Sequence, residues 1–397
     1  MKIAARSAQA PASPIRRLIP YSDAARARGL NVYHLNIGQP DIETPAAMLD
    51  AVRENRLKVV AYAPSQGHLE YRQAWVRYYA GHGIELTTDQ VMVTTAGSEA
   101  ITFAMGVTLD PGDEILIPEP LYANYLGFAA LLGVRVIPVT CRVEDGYHLP
   151  PREVFEAKIT PRTRAILFCN PGNPTGTVLT AEEMEMLISL ARERNLFLIA
   201  DEVYREFVYG GAPARSLLTY PEVADRAIVV DSISKRYSSC GARIGCLATR
   251  NRDVLAGVLR YAQARLSPPT FGQILGMGAM NLPPDYLRGV VAEYEQRRDV
   301  VYEAMSGIPG VVCHKPRGAL YLMARLPVDD AEKFIIWLLE SFSDNGHTVM
   351  MAPANGFYAT PGAGQDELRI AYVLNAEKLA HAMTIVKNGL AAYPGRR

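Results

Sequence analysis

Between residues 91 and 249 the sequence alternates short apolar runs with longer amphipathic ones, and this rhythm limits the fold more than any other feature. VMVTT (91–95), EILIP (114–118), VRVIPV (134–139), RAILFC (164–169), LFLIA (196–200), AIVVD (227–231) and RIGCLAT (243–249) have the length and composition of strands. Helix-like segments such as SEAITFAMGVTL (98–109) and AEEMEMLISLARERN (181–195) lie between them. Near-continuous apolar strands are buried on both faces, so the pattern predicts an α/β layer with a largely parallel, doubly covered sheet.

The pattern changes near residue 283. A long helical stretch, PDYLRGVVAEYEQRRDVVYEAM (284–305), leads to strand-like ALYLMARL (319–326) and LRIAYVL (368–374). At 397 residues the chain is too long for one simple core. We expect a large domain over 46–283, a smaller α+β domain over 284–397, and an N-terminal segment, 1–45, that reads as an extended arm and joins the small domain.

Composition excludes several classes. Lys plus Arg and Asp plus Glu are 41 each, so nothing points to nucleic acid or an anionic membrane. No apolar run approaches a membrane span, and the N-terminus has no secretory-type apolar region. The five cysteines are scattered, without metal-ligand spacing, and fit free thiols in a reducing cytoplasm. There is no GxGxxG at the first strand turn and no GxxxxGK[ST].

Ligands of open α/β sheets bind beyond the carboxyl ends of strands, and polar residues gather there. VMVTT is followed by Ala96-Gly97-Ser98, whose backbone N–H groups could hold a phosphate. RAILFC is followed by NPGNPTG (170–176), LFLIA by Asp201 and Tyr204, and AIVVD by SISKRYSSCGARIG (232–245) with Ser232, Ser234, Lys235 and Arg243. Each has an ordinary explanation as a cap, a turn or a solvated cation. Together they meet one chemical need. Lys235 can form a Schiff base with an aldehyde. Asp201 can keep a pyridine nitrogen protonated. Asn173 and Tyr204 can hydrogen-bond a ring oxygen, and Tyr122 can stack on the ring. Gly97, Ser98, Ser232 and Arg243 can take a phosphate. That cofactor is pyridoxal 5′-phosphate.

With these motifs the chain resembles the class I/II aminotransferases of the aspartate aminotransferase superfamily, fold type I. NIGQPDIETP (36–45), YAPSQGHLEYRQA (62–74), TAGSEAI (95–101), LDPGDEILIPEPLY (109–122), NPGNPTG, DEVY (201–204), SISK, ARIG (242–245) and LRIAY (368–372) carry the resemblance over nearly the whole chain. It implies a mostly parallel seven-stranded sheet and a small α+β domain. Lys235 would be the Schiff-base lysine and proton carrier, Asp201 the partner of the pyridine nitrogen, and Asn173 and Tyr204 contacts of the phenolic oxygen. Ser98, Ser232 and Arg243 would bind the phosphate, Gly97, Glu99 and Ser234 would also belong to the cofactor site, and Tyr122 would stack on the cofactor. Tyr62 would reach a neighbouring subunit's phosphate, implying a homodimer with shared sites. Arg369 would clamp the substrate α-carboxylate beside Gly38 and Asn173. An arginine within a strand-like run is costly to bury unless an anion meets it.

Two departures put dicarboxylate specificity in doubt. Ser98 stands where some aspartate-specific members carry a lysine, and Arg265, in YAQARLSPP (261–269), is out of register with the arginine other members use. Arg16 in the arm is another candidate reader of the substrate side chain. Ala242 replaces the aromatic residue usual before R-I-G. Tyr33, Phe357 and Tyr358 would suit an aromatic or apolar substrate side chain at the mouth. The expected activity is amino transfer from an L-amino acid to a 2-oxo acid by a ping-pong route. A β-lyase on the same cofactor, an amino-cyclopropane-type synthase and a non-catalytic effector-sensing protein are the alternatives.

Overall fold

The computed structural model describes every residue except Lys2, Gln9, Ala212, Pro213 and Pro284. Pro284 begins the helical stretch expected over 284–305, so that end lies outside the described residues.

All seven apolar runs become strands of one sheet. Its spatial order is Val91–Thr94, Gly245–Thr249, Ala227–Ser232, Phe197–Asp201, Thr163–Cys169, Glu114–Glu119 and Arg135–Thr140. Only Gly245–Thr249 runs opposite to the others. The residues of Ala227–Ser232 and Gly245–Thr249 are buried throughout, as strands covered on both faces must be. Helix Ala96–Thr108 covers one face, packing Ala100, Ala104 and Met105 against Ile199, Ile228 and Val230. Helix Ala181–Glu193 packs Leu187 and Leu190 into the core of the other face. Its start is set by a capping box between Thr180 and Glu183.

A second core is built around helix Tyr286–Ser306 and a four-stranded antiparallel sheet ordered Ala352–Pro353, Glu367–Ala371, Tyr321–Arg325 and Val312–Cys313. Met323 faces Arg369 across this sheet.

The N-terminal segment differs from the extended arm expected. Residues Ile19–Ala27 form a helix that opens with Pro20 in its first turn and ends near Gly29 at φ +86°. Asn31–His34 then pairs in parallel with His347–Met350. The alanine- and arginine-rich SDAARARG supplies helix formers. The strand depends on a partner more than 300 residues away, which local composition does not reveal.

Candidate active site

The parallel strands end along one edge, and the antiparallel strand starts there. Thr94 and Ser232 both face Gly245, and Cys169 faces Asp201. A Cβ on Gly245 would stand 2.5 Å from Asp231 O, 2.9 Å from Ala96 C and 3.0 Å from Gly97 N, so only glycine lets the strands close this tightly. Ala96 and Arg243, on either side, adopt left-handed backbone at φ +60° and +52°. Such conformations cost non-glycine residues about 1–3 kcal/mol and concentrate at functional sites. The helix begins at Ala96, so its first-turn residues Ala96, Gly97 and Ser98, whose N–H groups lack intrahelical partners, lie at the strand edge and line the same cleft as Arg243.

A cleft of about 660 Å³ opens at this edge, between the two cores. It brings together Gly38, Gly97, Ser98, Tyr122, Asn173, Asp201, Tyr204, Ser232, Ser234, Lys235, Arg243 and Arg369. Glu99 and Tyr62 stand apart from them. The Glu99 carboxylate accepts from Thr95 N at 2.8 Å and faces Arg265 at 3.4 Å. Tyr62 is 79% exposed, in an apolar recess with Leu57, Val59 and Met277.

Lys235 donates from Nζ to Gly38 O at 2.7 Å, with Cys240 Sγ at 3.8 Å, and makes no ion pair with a described residue. Ser232 Oγ and Ser234 Oγ lie 2.7 Å apart, and Ser232 Oγ donates to Ile244 O. Just behind, Asp231 pairs with the buried Arg205 and Arg236, which fixes both ends of the SISKR turn.

Asp201 is buried, and desolvation raises its carboxyl from 3.8 to about 6, against the opposing hydrogen bond from Tyr125. Tyr125 Oη donates to Asp201 Oδ2 at 2.6 Å. Tyr204 Oη lies 2.6 Å from Tyr321 Oη. A Cβ at residue 38 would fall 1.9 Å from Tyr321 Oη, so Tyr321 explains the glycine there. Tyr122 packs edge-on against Tyr125, and burial pushes its phenol up to about 12.

Arg369 is 1% exposed. Its Nη1 donates to Asn173 Oδ1 at 2.9 Å and its Nη2 to Asn36 O at 2.6 Å, while Nε has no partner. The guanidinium lies over the rings of Tyr321 and Phe357. Its neighbours among the described residues are neutral, so burial lowers its proton affinity with no described carboxylate to offset it.

A family described as aminotransferase class I and II matches residues 31–386. The chain belongs to this family. A probable aspartate/prephenate aminotransferase of Aquifex aeolicus is 31% identical over 98% of each chain. An aspartate aminotransferase of Musicola paradisiaca is 30% identical over 93% of this chain and 91% of its own. The solved structure of an alanine aminotransferase from Pyrococcus furiosus superposes with a TM-score of 0.89 at 28% identity, covering 99% of this chain and all of the other. The protein is thus an aminotransferase of fold type I, an enzyme acting on amino acids and 2-oxo acids.

Three site residues of this aminotransferase escaped sequence reasoning. Tyr125 lies in the same EPLYANY motif as Tyr122, three residues on, and that helical spacing was the available signal. Asn36 opens the NIGQPDIETP motif, which was its only signal, and Tyr321 had none, because its role arises from contacts between the two cores. Two expectations about the substrate side chain are corrected. Phe357 and Tyr358 do not line the cleft: both are buried, Phe357 under Arg369 and Tyr358 donating to Glu367 at 2.6 Å. Tyr33 is bonded to His381, away from the mouth.

Proposed function

We propose that the protein carries an amino group from an L-amino acid to a 2-oxo acid in two half-reactions, with pyridoxal 5′-phosphate as cofactor. The donor set of the cleft fits that group. The helix start at Ala96–Ser98, with Ser232, Ser234 and Arg243, would hold the phosphate. Asp201 would face the ring nitrogen, Asn173 and Tyr204 the phenolic oxygen, and Tyr122 the ring. When bound, the cofactor supplies an aldehyde for an amine and a protonated ring that draws off the electron pair released at the substrate carbon.

The chain's own residues do the rest. Arg369 binds the donor's α-carboxylate through the guanidinium edge that has no protein counter-ion. That fixes Cα toward Lys235, whose Nζ takes the α-proton and returns it on the cofactor side. Asp201, ionised at neutral pH, would keep the ring nitrogen protonated, and Tyr125 holds its carboxylate in place. Amino transfer to the second substrate runs the same moves in reverse. The observation that carries this reading is the meeting, in one cleft, of an unpaired lysine, a buried carboxylate and a buried arginine without a counter-ion.

A homodimer belongs to the proposal. Leu57, Val59, Val60 and Tyr62 are between 50% and 79% exposed, more than a lone surface offers to water without reason. On this reading they meet a second copy, and Tyr62 reaches that copy's phosphate. Sedimentation as a species of about twice 43.6 kDa is expected; a monomer at micromolar concentration would remove the shared site. The five unpaired cysteines suit a reducing, cytoplasmic setting.

Lys235→Ala tests the catalytic assignment. Cofactor binding, followed by equilibrium dialysis, should weaken but persist through the phosphate and ring contacts, while amino transfer falls by at least about a thousandfold. Normal transfer in this variant would refute the role of Lys235.

A further inference from the structure

Tyr321 touches three residues of the proposed machinery, yet no proposed step uses it. It opens the strand Tyr321–Arg325 and is 2% exposed, with its side chain in the wall of the cleft. Sheet register sets what it meets on its own face. Met323 stands opposite Arg369, so Tyr321, two residues earlier, lies on the same face and diagonal to that arginine, a spacing that an aromatic side chain can span. The ring accordingly lies under the Arg369 guanidinium, whose central carbon is 4.3 Å from the ring centroid.

The start of this strand is held against the other core. Gly318 N donates to Gly176 O and Ala319 N to Phe207 O, both at 2.9 Å, which ties the chain before Tyr321 to the NPGNPTG loop and to the segment after Asp201. There Tyr321 meets Tyr204 edge-on, with ring centroids 5.6 Å apart and hydroxyl oxygens 2.6 Å apart. Neither hydroxyl has a second hydrogen-bond partner among the described residues. On its other side, Tyr321 Oη presses on Gly38, where a Cβ would fall 1.9 Å away. Lys235 donates to the carbonyl of that same glycine. The Tyr321 hydroxyl is thus confined between Tyr204 and the Gly38 backbone.

Only one hydrogen lies between two paired hydroxyl oxygens, so the direction of this bond matters. Burial pushes the Tyr204 phenol well up, and it keeps its proton. If Tyr204 supplied the shared hydrogen, its oxygen would offer the cleft only lone pairs. If Tyr321 supplies it, the Tyr204 proton is free to point into the cleft. An anionic oxygen there favours the second arrangement, and successive hydrogen bonds in a buried chain strengthen one another. We infer that Tyr321 is a positioning residue: its hydroxyl donates to Tyr204 and turns the Tyr204 proton toward the phenolic oxygen of the cofactor, while its ring face seats Arg369 for the substrate α-carboxylate. This rests on the proposed function, which assigns that oxygen to Tyr204. One side chain then serves cofactor and substrate through separate parts.

Tyr321→Phe removes only the hydroxyl, whereas Tyr321→Leu and Tyr321→Met remove the ring as well. Tyr321→Phe is made alone and beside Tyr204→Phe, and every protein is loaded with pyridoxal 5′-phosphate. Two properties are read: the pH midpoint of the visible absorbance, and the binding of propionate, a carboxylate without an amine, by calorimetry. A hydrogen bond donated to the cofactor's oxygen favours the form with more negative charge there, which is the deprotonated one. Its weakening in Tyr321→Phe should therefore move the midpoint to higher pH, by roughly 0.5–1 unit. Tyr204→Phe should move it the same way and at least as far, and adding Tyr321→Phe to it should change nothing more. Propionate should bind Tyr321→Phe as it binds wild type, but bind Tyr321→Leu and Tyr321→Met on the order of 3- to 30-fold more weakly. An unmoved midpoint in Tyr321→Phe would overturn the inference, as would an equal further shift beside Tyr204→Phe. Propionate binding that survives loss of the ring would overturn the seating of Arg369. A wild type that gains no visible band from pyridoxal 5′-phosphate would sink the proposed function instead, a result distinct from the others.

Discussion

Two buried charges of opposite sign define the site, and each is left deliberately uncomfortable. Arg369 is surrounded by neutral acceptors and aromatic faces, so its charge awaits an anion. Asp201 accepts from one tyrosine and one backbone amide, so burial outweighs its hydrogen bonds and lifts its carboxyl to about 6. The sign of the stability effect follows. In the cofactor-free protein, the folded state keeps a proton that the unfolded chain gives up between about pH 4 and pH 6. This group's contribution is complete below that window and is lost as pH rises through about 6. Asp201→Asn removes the charge at every pH while keeping an acceptor for Tyr125. It should raise the melting temperature of the cofactor-free protein at pH 8, by up to about 3 kcal/mol in stability, and make no difference below pH 4. Equal melting at pH 8 would mean that the carboxylate is better solvated than its surroundings indicate.

At the scale of the element, the strand edge does the positioning. The central strands, buried on both faces, and the partly exposed edge strand Arg135–Thr140 all carry short apolar runs, so all seven, and the polar residues just beyond them, were legible in the sequence. Lys235, Asp201 and Arg243 stood out because they follow successive strands and together suit one cofactor, not by position alone. The tightness of the edge was not legible, because it depends on Gly245 lying against Asp231, Ala96 and Gly97 at once. Gly245→Ala should therefore cost roughly 1–3 kcal/mol in stability and weaken cofactor binding, since the obstructing atoms are backbone. Thermal melting and a cofactor titration check both; an unperturbed variant would show that the turn proposed to hold the phosphate has room to shift. The N-terminal helix was missed for a complementary reason. Its prolines and glycine mark the ends of Ile19–Ala27, where composition suggested an extended chain throughout.

At the scale of the molecule, the site lies where two cores meet, and neither core contains it alone. The large sheet contributes Lys235, Asp201, Asn173 and Arg243; the small one contributes Arg369 and Tyr321; residues 13–39 bring Asn36, Gly38 and Arg16. Arg369 could be suspected from its place in LRIAY, because a charge inside a strand demands a partner. Tyr321 could not, since its contacts with Tyr204 and Gly38 join segments about 117 and 283 residues away in sequence. On the proposed function, this assembly moves an amino group without releasing it as ammonia. Its most direct test is a titration of the cofactor-loaded protein with single amino acids and no 2-oxo acid, following visible absorbance together with 2-oxo acid and ammonia. Suitable donors should change the cofactor's absorbance and release 2-oxo acid in step with the number of sites, without ammonia, until an acceptor restarts the cycle. Ammonia accumulating continuously without an acceptor, or an absorbance that no donor changes, would contradict it.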